Sequence, residues 1–341
     1  MGDVARLAGV GTMSVSRLLN ESGRVSPQTE ERIRWAVNRL DYRMNEVARS
    51  LRGQRSRLIG VILPDISNPF FATCAHEIDR TAKSHGYMVS FTSSGEDSAV
   101  EEREAMALVQ HNVDGLVVVP ANSSADYLTR SAFADTPVIF LDRPGGDPER
   151  DSVRISNKEG VRLGIEHLIE QGHTRISFLG GHQAVSTMRL RYKAYRQVMN
   201  AHQLDPMPYT LCTESSKLDG IITTLLEGPN SPSALFTARG PTTQIVLASL
   251  RRLTLKMPGD IALLGFDDFQ MADLIEPGIS VVRQPVRQLG RVTAELLFRR
   301  VLGEEQDRRA IRKVLPLELI VRGSSKRGRS QVRTTGPAGL K

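Results

Sequence analysis

The stretch DVARLAGVGTMSVSRLLN, residues 3–20, has the pattern of two short helices joined by a tight turn. Apolar residues recur at helical spacing in both segments, and Gly9 between them is a residue type that ends helices. The second segment carries short or forked hydrogen-bonding side chains between its apolar positions. Such a helix can enter the DNA major groove and reach base edges. The stretch therefore predicts a helix-turn-helix.

A third helix is predicted directly after this pair. Ser26 is a favourable N-cap, and Pro27 suits the first helical position because its missing N–H has no partner there. The apolar stripe of this helix is Ile33, Ala36, Val37 and Leu40. Three helices in so short a segment have a very small core, so we expect this head to be only marginally stable by itself.

The charge of the chain is distributed unevenly. The chain has 341 residues and a net charge of +7. Residues 1–57 contain eleven arginines against six acidic residues, residues 58–307 have a net charge of −7, and residues 308–341 have +9. A basic head on an acidic body is typical of a protein whose head meets phosphate groups.

Several function classes are disfavoured by what the sequence lacks. Cys74 and Cys212 are too few for a disulfide framework or a metal cluster, so we expect buried free thiols. No signal segment or bilayer-length apolar run is recognisable. Walker, HExxH and G-x-S-x-G motifs are absent, and metal-ligand types are not clustered. We expect a cytoplasmic protein that is not an enzyme and needs no cofactor, metal or membrane.

From Leu58 onward, apolar strand-like runs alternate with segments of helix length. The first series is LIGVIL (58–63), YMVSFT (87–92), GLVVV (115–119) and PVIFL (137–141). The second series is ISFLG (176–180), YTLC (209–212), ALFT (234–237) and IALLG (261–265). Continuous apolar runs between amphipathic helices indicate parallel sheets covered on both faces. The two series predict two doubly wound lobes, with a ligand at the carboxyl ends of the strands.

Motifs along the whole chain resemble those of LacI/GalR-type bacterial repressors. In the head these are DVARLAGV, SVSRLLN and RVSPQT, followed by the segment 42–51. In the body they are PDISNPFF (64–71), VDGLVVV (113–119), LDR (141–143), GHTRISFLGG (172–181), GFDD (265–268), VRQPVRQLG (282–290) and LPLELIVRGS (315–324). The resemblance implies an all-α helix-turn-helix head and an α/β two-lobed domain like a periplasmic binding protein. It also implies a homodimer that binds double-stranded operator DNA and a small-molecule effector.

The resemblance implies the following domain boundaries, with numbers from this sequence. Residues 1–43 form the helix-turn-helix head, and residues 44–57 form a hinge helix and linker. Residues 58–323 form the effector-binding and dimerisation domain, with an N-lobe of about 58–157 plus 286–314 and a C-lobe of about 158–284 plus 315–323. The segment 324–341 is rich in Ser, Gly and Arg, and its composition predicts a basic disordered tail.

The family pattern also implies a set of DNA-binding residues. Thr12, Met13 and Arg17 match positions that read bases, and Arg17 could bind guanine O6 and N7. Further matches to positions that contact bases or phosphates are Ser14, Ser16, Asn20, Arg24, Ser26 and Thr29. Leu51 matches an apolar wedge that enters the minor groove.

Two departures from the family pattern fall near the head. Met44 stands where the family often has proline, which predicts a weaker hinge helix because proline presets φ for a first helical turn. Only Met1 and Gly2 precede Asp3, whereas the family usually has several residues there. If this is the true start of the chain, we expect DNA affinity below the family norm.

The effector residues implied by the resemblance combine aromatic rings with charged groups. They are Phe70, Phe71, Asp142, Arg143, Thr187, Arg191 and Asp267. Aromatic faces stack on apolar C–H surfaces, while carboxylates and guanidinium groups bind hydroxyl or acid groups. The expected effector is a sugar, a sugar acid or a sugar phosphate.

One part of the expected cleft departs from the family pattern. Arg239 and Gly240, followed by Pro241, stand where the family usually has an Asn-Asp pair. This exchange suggests either an anionic ligand or a loss of effector binding, and the sequence leaves both open. Two other functions are compatible with the two-lobed body alone. One is a solute receptor for transport, which the DNA head and the lack of a recognisable signal segment disfavour; the other is an enzyme on a doubly wound fold, which detectable sugar turnover would favour.

Overall fold

The computed structural model describes residues 1–19, 23–42, 55–122, 125–305, 307 and 309–326. The chain divides into two compact units, residues 1–56 and 57–341. Three residues that the sequence analysis singles out, Asn20, Met44 and Leu51, lie outside the described residues. The predicted hinge helix also lies outside them.

The first unit is built from three helices. These are α1 (Gly2–Ala8), α2 (Thr12–Leu19) and α3 (Pro27–Arg39). Gly9 ends α1 in the left-handed conformation, at φ 63°. At the start of α3, the Ser26 side chain accepts a hydrogen bond from the Thr29 N–H. The small apolar core consists of Val4, Ala5, Ala8, Val15, Ile33 and Ala36. Leu40, which the sequence assigned to the apolar stripe, is 43% exposed because it lies beyond the last turn of α3.

The second unit contains two six-stranded sheets, each of which forms one lobe. The N-lobe strands are β1 (Leu58–Leu63), β2 (Met88–Ser93), β3 (Gly115–Val118), β4 (Val138–Leu141), β5 (Asp151–Ile155) and β11 (Arg312–Leu315). Their order is β11-β5-β4-β3-β1-β2, and every pairing is parallel.

The C-lobe sheet repeats this arrangement. Its strands are β6 (Ile176–Gly180), β7 (Thr210–Leu211), β8 (Ala234–Thr237), β9 (Ala262–Phe266), β10 (Ser280–Arg283) and β12 (Glu318–Ile320). The order is β12-β10-β9-β8-β6-β7. Only the pairing of β10 with β12 is antiparallel among the described residues.

Amphipathic helices cover both sheets. They are α4 (Pro69–Ser84), α5 (Ser98–Gln110), α6 (Asn157–Glu170), α7 (Ser186–Ala201), α8 (Ser215–Leu226), α9 (Gly240–Arg252) and α10 (Val286–Val301). The inner strands of both sheets are almost wholly buried, which is why most of them read as continuous apolar runs, whereas the edge strands β2, β7, β11 and β12 are partly exposed. The predicted two-lobed fold with parallel sheets is confirmed, although β10 and β12 add one antiparallel edge.

The segment after β12 differs from its predicted state. Ser324 and Ser325, assigned by sequence to a disordered tail, lie in a short 3-10 helix and are fully buried. The Ser324 hydroxyl donates to the Leu263 carbonyl, and Ser325 lies 2.8 Å from the ring of His167. These hydrogen bonds compensate for burying polar groups, so the ordered domain extends past residue 323.

Candidate functional site

The predicted base-reading residues lie on an exposed face of α2. Thr12, Met13 and Arg17 are exposed, and Met13 has 68% of its surface accessible. The Arg17 Nη2 atom lies 3.8 Å from the Met13 sulfur, so the two side chains form one continuous surface. Ser14 and Ser16 are half-buried beside them. This face combines a guanidinium fork with short polar groups and one thioether.

Further residues predicted to contact bases or phosphates lie at the start of α3. The hydroxyl groups of Ser26 and Thr29 are 2.8 Å apart, and the Ser26 oxygen also caps the helix. These hydroxyls therefore help to form α3, whatever else they contact. Arg24 is exposed just before them.

The predicted effector residues are brought together around one cavity in the second unit. Phe70, Phe71, Asp142, Arg143, Thr187, Arg191 and Asp267 all line it. The remaining lining residues are Asn68, Glu96, Val185, Met188, Arg239, Pro241 and Gln284. Nearly all of them follow the carboxyl ends of strands from both sheets, the edge at which doubly wound sheets bind ligands.

Two aspartates occupy equivalent places in the two lobes. Asp142 follows β4 and Asp267 follows β9, and both have positive φ, at 67° and 78°. Their N–H groups donate to the carbonyls of Val153 and Val282 on the neighbouring strands. Aspartate tolerates this left-handed conformation better than most residues, and such backbone positions are enriched at functional sites. The repeated geometry directs one carboxylate of each lobe to the cleft.

Arg143 forms the most strongly bonded part of the N-lobe wall. Its guanidinium binds both carboxylate oxygens of Glu96, at 2.5 and 2.8 Å, and donates to the Pro120 carbonyl. Asp142 lies beside it, with 3.6 Å between its Oδ2 and the Arg143 Nε. Burial raises the pKa of the Asp142 carboxyl, although the neighbouring guanidinium groups of Arg143 and Arg191 act in the opposite direction.

Arg191 forms the centre of the C-lobe wall. Its Nε donates to the Asn157 side chain at 2.7 Å, and its Nη1 donates to the Ala238 carbonyl at 2.6 Å. The guanidinium lies 3.7 Å from the centre of the Phe266 ring, a cation–π stack. Burial lowers the pKa of this arginine. The group is held in place, and no carboxylate among the described residues forms an ion pair with it.

Asp267 is bonded on both of its oxygens. One accepts from the N–H of Gly240 at 3.0 Å, at the start of α9, and the other accepts from the Gln284 amide. Arg239 precedes Gly240 and is half-buried; its Nε donates to the Thr242 hydroxyl at 3.3 Å. Asp267 therefore ties α9 to the end of β9.

Three buried polar atoms of the lining have no hydrogen-bond partner among the described residues. They are Asp142 Oδ1, Arg143 Nε and Gln284 Oε1. Two are acceptors and one is a donor, a combination that hydroxyl groups can satisfy because a hydroxyl both donates and accepts. Unsatisfied buried groups are rare in folded proteins and call for an explanation such as a ligand.

The cavity is small as it stands. Its free volume is about 50 Å³, and by the same measure one water needs about 10–15 Å³. A ligand of sugar size can enter only if the lobes or the lining side chains move apart.

Sequence reasoning missed Glu96 and Gln284, whose roles depend on contacts across the sheet. A signal was available for Glu96, because it follows β2 at the same sheet edge as Asp142 follows β4. Within the described residues, no cluster of three His, Cys, Asp or Glu side chains could hold a metal ion, and no helix is long and apolar enough to cross a membrane.

The two units match two known families. Residues 1–45 match the bacterial regulatory proteins of the lacI family, and residues 165–325 match a periplasmic binding protein-like domain. A relative over nearly the whole chain is the HTH-type transcriptional regulator PtxS of Pseudomonas aeruginosa. It is 30% identical over 327 residues, which cover 95% of each chain.

Solved structures resemble the chain over both units. The lac repressor dimer bound to operator and the anti-inducer ONPF has a TM-score of 0.85 at 25% identity, and the match covers 95% of this chain and 98% of that one. The complex of the transcriptional regulator CelR with cellobiose has a TM-score of 0.68 at 28% identity, covering 94% and 98%.

Proposed function

Because the chain belongs to the LacI family of bacterial regulatory proteins, it is a DNA-binding transcriptional regulator, and we propose that it is a repressor whose operator affinity is set by an effector in the cleft. The observation that carries this proposal is the pairing of two sites in one chain. One is the exposed polar face of α2, and the other is the cleft lined by residues of both lobes.

The chemistry of α2 supports operator reading. Arg17 can form a bidentate contact with guanine, and Met13 can contact only apolar groups such as the thymine methyl. Phosphate contacts from nearby side chains would position the helix without carrying sequence information. The residues proposed to contact DNA are those that the family pattern implies: Thr12, Met13, Ser14, Ser16, Arg17, Asn20, Arg24, Ser26, Thr29 and Leu51. Because operator DNA is bound inside the bacterial cell, we propose a cytoplasmic location as well.

The chemistry of the cleft supports a polyhydroxy effector. Phe70 and Phe71 offer ring faces, and the unpartnered oxygens of Asp142 and Gln284 accept hydrogen bonds. The cellobiose complex of CelR shows that a relative with this fold binds a sugar. A sugar or sugar derivative is therefore the proposed effector class.

The mechanism is a linkage between two binding sites. A ligand between the lobes changes their spacing, and in a homodimer like that of the lac repressor this alters how two heads meet DNA. Operator and effector must then change each other's affinity by the same factor.

Selection of bound duplexes from a random-sequence DNA pool tests the DNA-binding part. The full chain is expected to enrich a two-fold symmetric site, because a dimer presents two equivalent heads. The same selection with Arg34→Ala is the control, since Arg34 lies on α3, where it pairs with Glu30, and not on the base-reading helix α2. Enrichment of no sequence by the wild-type chain would contradict the proposal.

A further inference from the structure

Two arginines in the effector cleft lack carboxylate partners. Arg191 is only 3% exposed and Arg239 is half-buried, and both line the same cavity. Among the described residues, neither forms an ion pair with Asp or Glu, whereas Arg143 pairs with Glu96. The Arg239 guanidinium makes one hydrogen bond, through Nε to Thr242, so its two Nη groups have no bonds to described residues.

The two guanidinium groups are close enough to influence each other. Burial is the largest cause that lowers the pKa of Arg191; the charges of Asp267 and Asp142 raise it, and those of Arg143 and Arg239 lower it. Like charges held in one partly buried site repel each other unless an anion lies between or beside them. Among the described residues no carboxylate is in ion-pair contact with either guanidinium, so an anionic group of a ligand would be favoured beside them.

The carboxylates of the lining have other hydrogen-bond partners or are buried, and none pairs directly with Arg191 or Arg239. Glu96 is bound on both oxygens by Arg143, and both oxygens of Asp267 are bonded to Gly240 and Gln284. Asp142 is buried, and burial raises the pKa of its carboxyl toward the neutral form. The capacity for an additional acidic group thus lies on the C-lobe side, at Arg191 and Arg239.

The same side of the cleft holds the start of a long helix. Helix α7 begins at Ser186 without a side-chain cap, and Val185, Thr187 and Met188 line the cavity. The first turn of a helix carries partial positive charge and favours anions. Arg239 lies against the loop before this helix, because a Cβ added to Gly181 would be only 3.0 Å from the Arg239 Cζ.

We infer that the effector of this protein carries an acidic group, a carboxylate or a phosphate, which binds between Arg239 and Arg191 beside the start of α7. The inference rests on the proposed function, since it concerns the ligand of the same cleft. The hydroxyl groups of this ligand face Asp142 and Gln284, whose free oxygens accept hydrogen bonds. The ligand class is a small sugar acid or sugar phosphate.

A ligand panel of matched compounds tests this inference. Melting of the full chain is measured with ribose and glucose, with ribonate and gluconate, and with ribose 5-phosphate and glucose 6-phosphate, with sodium chloride and sodium phosphate as controls. We expect stabilisation by one acid or one phosphate and none by its neutral parent. The responding member distinguishes a carboxylate from a phosphate.

Substitutions then assign the acidic group to Arg239. Arg239→Gln is expected to weaken binding of the responding compound by roughly tenfold to hundredfold, the usual loss for a hydrogen bond to a charged group. Arg239→Lys keeps the positive charge but loses the forked guanidinium, so its affinity for the compound is expected to lie between those of the wild type and Arg239→Gln. Arg196→Gln removes an exposed arginine from the same helix, α7, and should leave affinity unchanged.

Three results would overturn the inference. They are equal stabilisation by a neutral sugar and its acid, binding of an acid that Arg239→Gln leaves unchanged, and no response to any acid or phosphate. A response to neutral sugars alone would refute the acidic group while leaving the proposed effector-controlled repressor standing. Failure of operator selection would refute the proposed function independently of the ligand panel.

Discussion

At the residue scale, Arg17 is the side chain best suited to read a base. It is exposed on α2 and lies against Met13. We predict that Arg17→Ala reduces discrimination between operator and mutated operator by about 1–3 kcal/mol, while sequence-independent binding persists through phosphate contacts. Footprinting and titration at moderate salt measure both quantities.

Arg34→Ala is the matched control for that experiment, because it removes an exposed arginine of the same unit. An Arg17→Ala protein with unchanged preference for the operator would show that Arg17 does not read bases.

A second prediction at the residue scale concerns Asp142, which we expect to affect both the stability of the fold and effector binding. Its pKa is raised in the folded protein, so the native state binds more protons than the unfolded chain above the ordinary pKa of 3.8. Stability contributed by this group therefore falls as pH rises through that window. We predict that Asp142→Asn raises the melting temperature at neutral pH and weakens effector binding. Asparagine also tolerates the positive φ of this position.

Melting curves at mild acid and neutral pH check this prediction, with exposed Asp205→Asn as the control. A variant that melts below wild type at neutral pH would show that the ionised carboxylate stabilises the fold.

At the element scale, one glycine controls how α10 packs on α4. A Cβ added to Gly290 would lie 2.6 Å from the Cys74 carbonyl oxygen, and backbone atoms cannot move aside cheaply. We predict that Gly290→Ala lowers the free energy of unfolding by about 1–3 kcal/mol, as overpacking does. Chemical denaturation measures the change.

Gly220→Ala on α8 is the control, because nothing lies within 4 Å of its added Cβ. There we expect a neutral or stabilising effect, since alanine favours helix over glycine. Equal effects at both glycines would show that close packing at Gly290 does not matter.

The segment that ends the C-lobe depends on a buried histidine of α6. Burial lowers the pKa of His167, whose Nε2 lies 2.8 Å from the Ser325 hydroxyl. Below pH 6.5 the unfolded chain therefore binds more protons than the native state, so stability falls as pH drops toward the lowered pKa. We predict that His167→Gln flattens this part of the pH dependence of unfolding.

Exposed His202→Gln is the control for the pH series. A His167→Gln protein with the same pH dependence as wild type would contradict a role for this histidine.

The elements also show what sequence could predict. The eight predicted strand runs are present to within a residue or two, and the buried parallel strands among them have continuous apolar sequences. Strands β5, β10, β11 and β12 were not predicted, since DSVRI, SVVR, RKVL and ELI contain charged residues and their place in a sheet depends on partners distant in sequence. Ser324 and Ser325 have the composition of a tail but are buried by hydrogen bonds to β9, β10 and α6.

The candidate site likewise has a part that sequence predicts and a part that only the structure reveals. The family pattern located the predicted cleft residues from sequence. In the structure these residues follow the ends of strands. The pairing of Glu96 with Arg143, the bonds of Gln284 and the lack of an ion pair at Arg239 among the described residues depend on packing between loops. Only three-dimensional contacts reveal which charges are already neutralised.

At the scale of the whole molecule, the account requires the two lobes to move when effector binds. The free volume of about 50 Å³ is too small for a sugar, so a cleft that holds a sugar must be wider than this one. Effector binding that separates or reorients the lobes supplies the conformational difference on which linkage depends.

The most direct test of effector-controlled DNA binding is a reciprocal titration of the full chain. Operator affinity is measured with and without the stabilising compound, and compound affinity is measured with and without operator. The account predicts that each ligand changes the affinity of the other by the same factor, typically about 5–150-fold. Operator affinity that is identical with and without saturating compound would contradict it.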